Sequence, residues 1–369
     1  MLRIIIKNNV LNVILYDEIL SSYLDNSQNI WGGLRPIEQP EILINFKEDK
    51  AIQCCSFSPS GDFFAVCYNK ILIIYNVPGW ETYCSGTVER KAVSVQFFPK
   101  SNVVLVADKS GCVTFYSYSQ GNLTKKDLIL GHNSMLTGAL ITNDERYVIT
   151  SDRDEKIRIT NYPNVYNIQS YCLGHEQFVS SINILPSDKR ILMSGSGDGT
   201  IRFWDFVKGK ELLQFNTNNK TEPIPITKIL CRKDNDSSLV AALQYKSKHI
   251  LLLDVKGNLD EGLSHELLNA VELSVEPWDI TFWLNNIIIF LPDKTNPIQV
   301  WESNHEKSFN NIKKYLIDNY ESIINQCNKI SDLIPVLYKR EIDNVQEYQE
   351  RKKARLSKNK TNDIDNLSS

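Results

Sequence analysis

Short apolar runs separated by turn-forming residues fill most of the first 300 positions of the chain. Apolar residues dominate the run from Phe63 to Cys67 and the run from Ile71 to Tyr75, and a short polar segment separates the two. Val103 to Ala107 and Cys112 to Tyr116 repeat this arrangement. Such runs, bounded by Gly, Pro, Asn and Asp, are typical of strands joined by tight turns. The pattern therefore predicts an all-β chain.

Two stretches between residues 130 and 205 repeat one longer pattern. Gly-His opens each stretch, at His132 and His175, and these histidines lie 43 residues apart. Asp154 and Asp198 follow and lie 44 residues apart, and the second stretch closes with Trp204 followed by Asp. A period of about 40–45 residues that begins with Gly-His and ends with Trp-Asp is typical of the WD40 blade. The sequence therefore predicts a WD40 β-propeller.

The polar residues of this pattern predict a buried hydrogen-bond relay in each of the two blades, because buried polar groups persist when each one finds a partner. The complete relay is predicted to contain His175, Ser194, Asp198 and Trp204. The partial relay is predicted to contain His132, Thr150 and Asp154, with Thr160 at the position of the tryptophan. We therefore expect the earlier blade to be held together more by packing.

Weaker copies of the unit give six internal blades, and the N-terminal strands make seven the most economical total, with six or eight left open. The apolar stripe Phe309, Ile312, Leu316, Tyr320 and Ile323, spaced 3, 4, 4 and 3, predicts a helix instead of further strands. The predicted organisation is a propeller over 1–304, with ring-closing strands in 1–46, a helical basic arm over 305–360 and a disordered tail over 361–369.

Composition narrows the functional classes. The net charge of −3 gives no global signature of a nucleic-acid or membrane binder, and no apolar run is long enough to span a bilayer. The eight cysteines include no CxxC spacing, which indicates reduced thiols in an intracellular protein. The glycine-rich segment 195–199 leads into a strand, whereas a phosphate-binding loop opens a helix. We therefore predict no catalytic residue, no metal and no cofactor.

Three segments carry a closer resemblance to a known family. Residues 149–158, 171–180 and 194–204 closely resemble the WD-repeat, non-catalytic subunit of the eukaryotic tRNA (guanine-N7)-methyltransferase, a family called Wuho in insects. The segment 337–356 is similar to the end of that family. The resemblance implies a seven-bladed scaffold that holds a separate catalytic subunit in a heterodimer. That partner would bind S-adenosylmethionine and methylate N7 of a guanine in the variable loop of tRNA.

The resemblance also implies where the partner binds. The partner-binding residues it indicates are Arg153, Asp154, Lys156, Arg158, Glu176 and Gln177. From residue chemistry alone, the same charged segment is also explained as a solvated turn. Five basic residues of the C-terminal arm are candidates for contact with tRNA phosphates, a role that needs mainly positive charge. They are Arg351, Lys352, Lys353, Arg355 and Lys358.

Other roles stay open at this point. The basic arm is also explained as a solvated helix end or as a nuclear-localisation signal, and the nucleus, with the cytoplasm left open, is the predicted location. The alternative function is a WD40 adaptor of another nuclear complex, such as a ubiquitin ligase. No membrane contact is expected.

Overall fold

The computed structural model describes residues 3–7, 10–14, 18–23, 41–45, 52–77, 79–217, 223–268, 270–301, 310–328 and 332–339. These residues form seven antiparallel sheets, each assembled from consecutive strands, and three short helices. No helix in these ranges is long and apolar enough to cross a membrane.

The strands follow one another through the sheets in chain order. Sheets one to three contain β1 (Arg3–Lys7), β2 (Val10–Ile14), β3 (Glu18–Tyr23), β4 (Glu41–Asn45), β5 (Ile52–Phe57), β6 (Phe63–Tyr68), β7 (Ile71–Asn76), β8 (Thr82–Thr87), β9 (Ala92–Phe97), β10 (Val103–Asp108), β11 (Cys112–Ser119) and β12 (Asn122–Gly131). Sheets four and five contain β13 (Leu136–Ile141), β14 (Tyr147–Asp152), β15 (Ile157–Asn161), β16 (Ile168–Cys172), β17 (Val179–Ile184), β18 (Ile191–Ser196), β19 (Thr200–Asp205) and β20 (Lys210–Asn216). Sheets six and seven contain β21 (Ile226–Asp234), β22 (Ser237–Gln244), β23 (His249–Asn258), β24 (Gly262–Leu267), β25 (Val271–Glu272), β26 (Asp279–Trp283), β27 (Asn286–Phe290) and β28 (Ile298–Trp301). The helices are α1 (Asn310–Asp318), α2 (Tyr320–Cys327) and α3 (Ile334–Leu337).

Strands in the middle of a sheet are buried on both faces. Every residue of β10, β14 and β18 is buried, whereas the outer strand β16 is mostly exposed. A continuous apolar run suits a strand that is covered on both sides, because each face of the sheet packs against a neighbouring sheet. The sheets are therefore arranged like blades around a centre, and the predicted all-β propeller is confirmed.

The ring closes by packing between its first and last sheets. Val13 of β2 lies in an apolar cluster with Trp283 and Phe290 of the last sheet. Its neighbour Ile14 lies in the next cluster, with Phe64 of the second sheet. Successive side chains of a strand point to opposite faces, so these two residues face opposite neighbours. The N-terminal segment therefore closes the ring as a sheet of its own, including β3, which the sequence did not predict.

The prediction of seven blades as the most economical total, with six or eight left open, is corrected to six. Six sheets have the four or more strands of a blade, and the last has three in the described residues. The physical reason is the change of apolar period after Trp301, which favours helix over a fourth strand. Leu316 of α1 and Ile323 of α2 are 2% and 4% exposed and join the cluster around Val13. The helical pair thus covers the seam between the last and first sheets.

The predicted C-terminal helical extension is present as three short helices with a break at Asn319. The domain boundary predicted at 304 and the tail predicted at 361–369 lie outside the described residues. Seven described cysteines are thiols; five are buried, and Cys112 and Cys231 are half-buried.

Candidate partner-binding surface

The fifth sheet contains a hydrogen-bonded relay that connects β18, β19 and the loop before β17. The His175 ring lies 2.9 Å from Asp198 Oδ2 through Nδ1 and 2.7 Å from Ser194 Oγ through Nε2. Trp204 Nε1 donates to the same Ser194 oxygen at 2.8 Å. All four side chains are buried, so each bond satisfies a polar group that water does not reach. The predicted relay residues of this sheet therefore meet in one place.

Asp198 also fixes the loop that precedes the sheet. Its Oδ2 accepts the Glu176 amide at 3.0 Å, and its Oδ1 accepts the amide and hydroxyl of Thr200 at 2.9 and 2.7 Å. Burial raises the pKa of the Asp198 carboxyl, but the bonds from His175, Thr200 and Glu176 outweigh burial and hold this pKa well below its usual range. The loop therefore presents an exposed Glu176 and a half-buried Gln177 from a fixed backbone.

The glycine-rich segment 195–199 ends β18 and forms the turn that leads into the strand β19, as predicted. Gly199 has φ of +74°, which a side chain would strain. A Cβ built on Gly197 would lie 2.4 Å from a Phe178 ring carbon. The glycines thus allow a tight turn to approach the Phe178 ring closely.

The relay in the fourth sheet uses a different aspartate from the predicted one. His132 Nε2 lies 2.7 Å from Thr150 Oγ1, and His132 Nδ1 lies 3.3 Å from Oδ2 of Asp152. The Asp154 side chain is 34% exposed, and its Oδ1 lies 4.0 Å from Arg153 Nε. The assignment of Asp154 to the relay is therefore corrected to Asp152.

The end of β14 explains this exchange. Asp152 is the last residue of the strand, and its Oδ1 accepts the amides of Asp154 and Lys156 at 2.9 and 3.1 Å. In the fifth sheet Ser196 ends the strand instead, and the carboxylate comes two residues later. One carboxylate at the strand end serves both the turn and the histidine, which frees Asp154 to face the surface.

Asp154, Lys156 and Arg158 line a cavity of about 320 Å³ at the rim of the fourth sheet. Arg158 Nη1 donates to the Gly131 carbonyl at 2.9 Å. The Nε atoms of Arg158 and Arg153 are buried, and neither has a hydrogen-bond partner among the residues that the structure describes. The cavity itself carries both cationic and anionic side chains, which can form charge-assisted pairs with a partner.

Sequence reasoning missed the apolar side of this cavity. Tyr171 and Leu173 line it and are 39% and 61% exposed. Tyr171 lies opposite Arg158 in the pairing of β15 with β16. The signal in the sequence was Tyr171 and Leu173, two apolar residues just before the second Gly-His. An outer strand does not need apolar side chains at these positions to form a core. Glu176 and Gln177 lie in the next loop and do not line the cavity.

Residues 332–339, which we call the strap, lie across the same face of the propeller. Tyr245, in the turn between β22 and β23, donates its hydroxyl to Asp332. The Tyr338 ring packs edge-on against Phe178 with centroids 5.1 Å apart. Lys339 Nζ donates to Glu155 Oε1 at 2.7 Å. The strap therefore connects sheets six, five and four and ends beside the charged segment of the cavity.

The predicted tRNA contacts of the basic arm lie outside the described residues. They are Arg351, Lys352, Lys353, Arg355 and Lys358. In the parts of the chain that are described, no three or more His, Cys, Asp or Glu residues are grouped as metal ligands.

Comparison with known proteins shows which families the chain matches. Residues 41–76 match the WD domain, G-beta repeat, family, and residues 116–315 match the family described as the tRNA methyltransferase TRM82 WD40 domain. The fold resembles a chain of a mitotic checkpoint complex, with a TM-score of 0.63 and 14% identity over 80% of this chain and 86% of that one. At that identity the likeness shows the WD40 propeller fold alone.

Similar sequences identify the family more specifically than the fold does. A tRNA (guanine-N(7)-)-methyltransferase non-catalytic subunit, wuho, from Drosophila mojavensis is 32% identical over 72% of this chain and 70% of its own. The subunits named wdr4 from Xenopus laevis and WDR4 from Homo sapiens are 43% and 40% identical over 44% of this chain. The matches cover 41% and 39% of the length of those two relatives. This chain belongs to the family of WD-repeat, non-catalytic subunits of tRNA (guanine-N7)-methyltransferase, which confirms the resemblance.

Proposed function

We propose that this chain binds the catalytic subunit of a tRNA (guanine-N7)-methyltransferase and holds it in an active state. The chain would form a heterodimer with that subunit and be required for N7-methylguanosine in the variable loop of tRNA. The catalytic subunit would bind S-adenosylmethionine, and this chain would supply no catalytic residue. Its place of action would be the nucleus, with the cytoplasm left open, and tRNA would be contacted through the complex.

The observation that carries this proposal is the mixed character of the rim cavity of the fourth sheet. Arg158 and Lys156 provide cations, and Tyr171 and Leu173 provide exposed apolar surface within the same cavity. Arginine and aromatic residues are enriched where proteins bind one another. A solvated turn explains the charges but not the exposed apolar surface of Tyr171 and Leu173 beside them.

Charge reversal at the two ends of one sheet tests the proposal. Arg158→Glu should abolish binding to the purified catalytic subunit and its stimulation of tRNA methylation. Arg146→Glu is the matched control, because Arg146 is exposed in the turn between β13 and β14, at the opposite end of the same strands. Calorimetric titration measures binding, and a thermal melt checks that both variants are folded.

Arg158 contacts the Gly131 carbonyl, so its reversal also removes an internal bond. Lys156→Glu avoids this problem, because Lys156 is exposed and lies in the same cavity. If folded Arg158→Glu and Lys156→Glu variants bind the catalytic subunit as tightly as Arg146→Glu does, the proposed surface is wrong. If the unaltered chain does not bind that subunit, the proposed function is wrong.

A further inference from the structure

The strap leaves its apolar side chains uncovered. Leu333 and Val336 are 50% and 60% exposed, and Pro335 between them is exposed as well. The helix that carries them, α3, has four residues and buries none of them. A single helical turn is unstable by itself in water, so its position depends on the contacts at its two ends.

The anchors at the ends of the strap are polar or aromatic. Asp332 accepts the Tyr245 hydroxyl at one end, and at the other end Tyr338 packs on Phe178 and donates to the Gly197 carbonyl at 3.4 Å. Fixing the backbone of such a segment costs conformational entropy, which the end contacts must offset. The apolar side chains of the strap add no buried core that would offset this cost. The end contacts therefore hold these side chains in place on the surface.

The strap continues the candidate surface. Lys339 pairs with Glu155, which stands between Asp154 and Lys156 in the charged segment. The pair neutralises Glu155, which directly precedes Lys156 in the chain, and joins the strap to the rim of the fourth sheet. One connected face therefore runs from the cations at Arg158 to the apolar residues at Leu333.

We infer that the strap is the second half of the partner-binding surface, with Leu333 and Val336 packing against an apolar surface of the catalytic subunit. This inference rests on the proposed function. Apolar contacts at the strap and charged contacts at the rim would act together, because a partner seated on Arg158 reaches along the same face. The strap would thus add affinity that the charged rim alone does not provide.

The test replaces both apolar side chains, as Leu333→Asp with Val336→Asp. Both positions are exposed, so the substitutions should leave the fold intact. Binding of the catalytic subunit should weaken by about 30-fold or more, which is the effect of losing a central apolar contact. The matched control is Leu284→Asp, because Leu284 is 51% exposed in the turn between β26 and β27, at the opposite face. Hydrogen exchange of the strap amides should slow when the catalytic subunit is added.

The outcomes separate the two proposals. Binding by the double variant that equals binding by Leu284→Asp, while Arg158→Glu fails to bind, overturns the role of the strap and leaves the proposed function standing. A wild-type chain that does not bind the catalytic subunit overturns both. In a third outcome, the wild-type chain forms a homodimer, the double variant is a monomer, and both bind the catalytic subunit with equal affinity. This outcome assigns the strap to a second copy of this chain and overturns the inference.

Discussion

Two aspartates in one turn provide a direct test of how the fourth sheet is held together. Replacement of Asp152 by Ala removes the relay carboxylate, and replacement of Asp154 by Ala removes the residue that spacing alone assigns to the relay. The two positions are separated by one residue and carry the same side chain. Any difference between the variants therefore reports the surroundings of the side chain.

The contacts of each carboxylate set the expected magnitude. Asp152 has a side chain 4% exposed and accepts two amides, besides its contact with His132. Each buried group left unpaired costs about 1–3 kcal/mol, and because water reaches the turn amides, we expect a total of about 3 kcal/mol. Asp154 has one ion pair, at 4.0 Å and 34% exposed, so its loss should cost at most about 1 kcal/mol.

A thermal melt followed by tryptophan fluorescence measures the difference. The entropy of unfolding for a domain of about 300 residues is about 0.6 kcal/mol/K, so 3 kcal/mol lowers Tm by about 5 °C. We expect that loss for Asp152→Ala and less than about 2 °C for Asp154→Ala. Equal losses, or a larger loss for Asp154→Ala, would refute the assignment of the relay to Asp152.

Three further predictions concern the relays. Trp204→Phe keeps an aromatic ring but leaves Ser194 Oγ without the 2.8 Å bond from Nε1, so urea unfolding should show a loss of about 2–3 kcal/mol. Thr160→Val at the equivalent position should cost less than about 1 kcal/mol, because the Thr160 hydroxyl is buried without a partner in the described residues; a cost as large as that of Trp204→Phe would contradict this reading. The lowered pKa of Asp198 stabilises the fold above the ordinary carboxyl pKa of about 4, and that contribution is lost as pH falls further toward the folded-state pKa. Unfolding free energies measured between about pH 6 and about pH 3 should therefore fall less steeply for Asp198→Asn, and an unchanged slope would count against the argument.

The fold was largely predictable because its signal is local and repeated. The strand runs, the glycine turns and the Gly-His to Trp-Asp period each act within one sheet, so a single sequence contains them. The count of complete blades was not predictable in the same way. The apolar stripe after Trp301 predicts helix locally, but it does not say that the helices cover the seam beside Val13, which lies far away in the sequence.

The candidate site was predictable only in part. The family resemblance indicated the charged segment, whereas the spacing of the repeat assigned Asp154 to the relay, because spacing does not say which of two carboxylates faces inward. The contribution of Tyr171 became visible only through its pairing with Arg158 across two strands. The strap contacts, such as that of Lys339 with Glu155, join residues whose proximity no local pattern predicts.

The position of Val13 and Ile14 has a consequence for how the protein is made. Ile14 meets its partners in the second sheet soon after synthesis begins, whereas Val13 packs against Trp283 and Phe290, which are synthesised much later. A nascent chain would therefore carry a first sheet with one face covered and one face open until the last sheet leaves the ribosome. Contacts between residues so distant in the sequence form slowly. Until the first and last sheets pack together, the apolar face of the first sheet stays exposed, and this is the stage at which the new chain is most prone to aggregate or to bind chaperones.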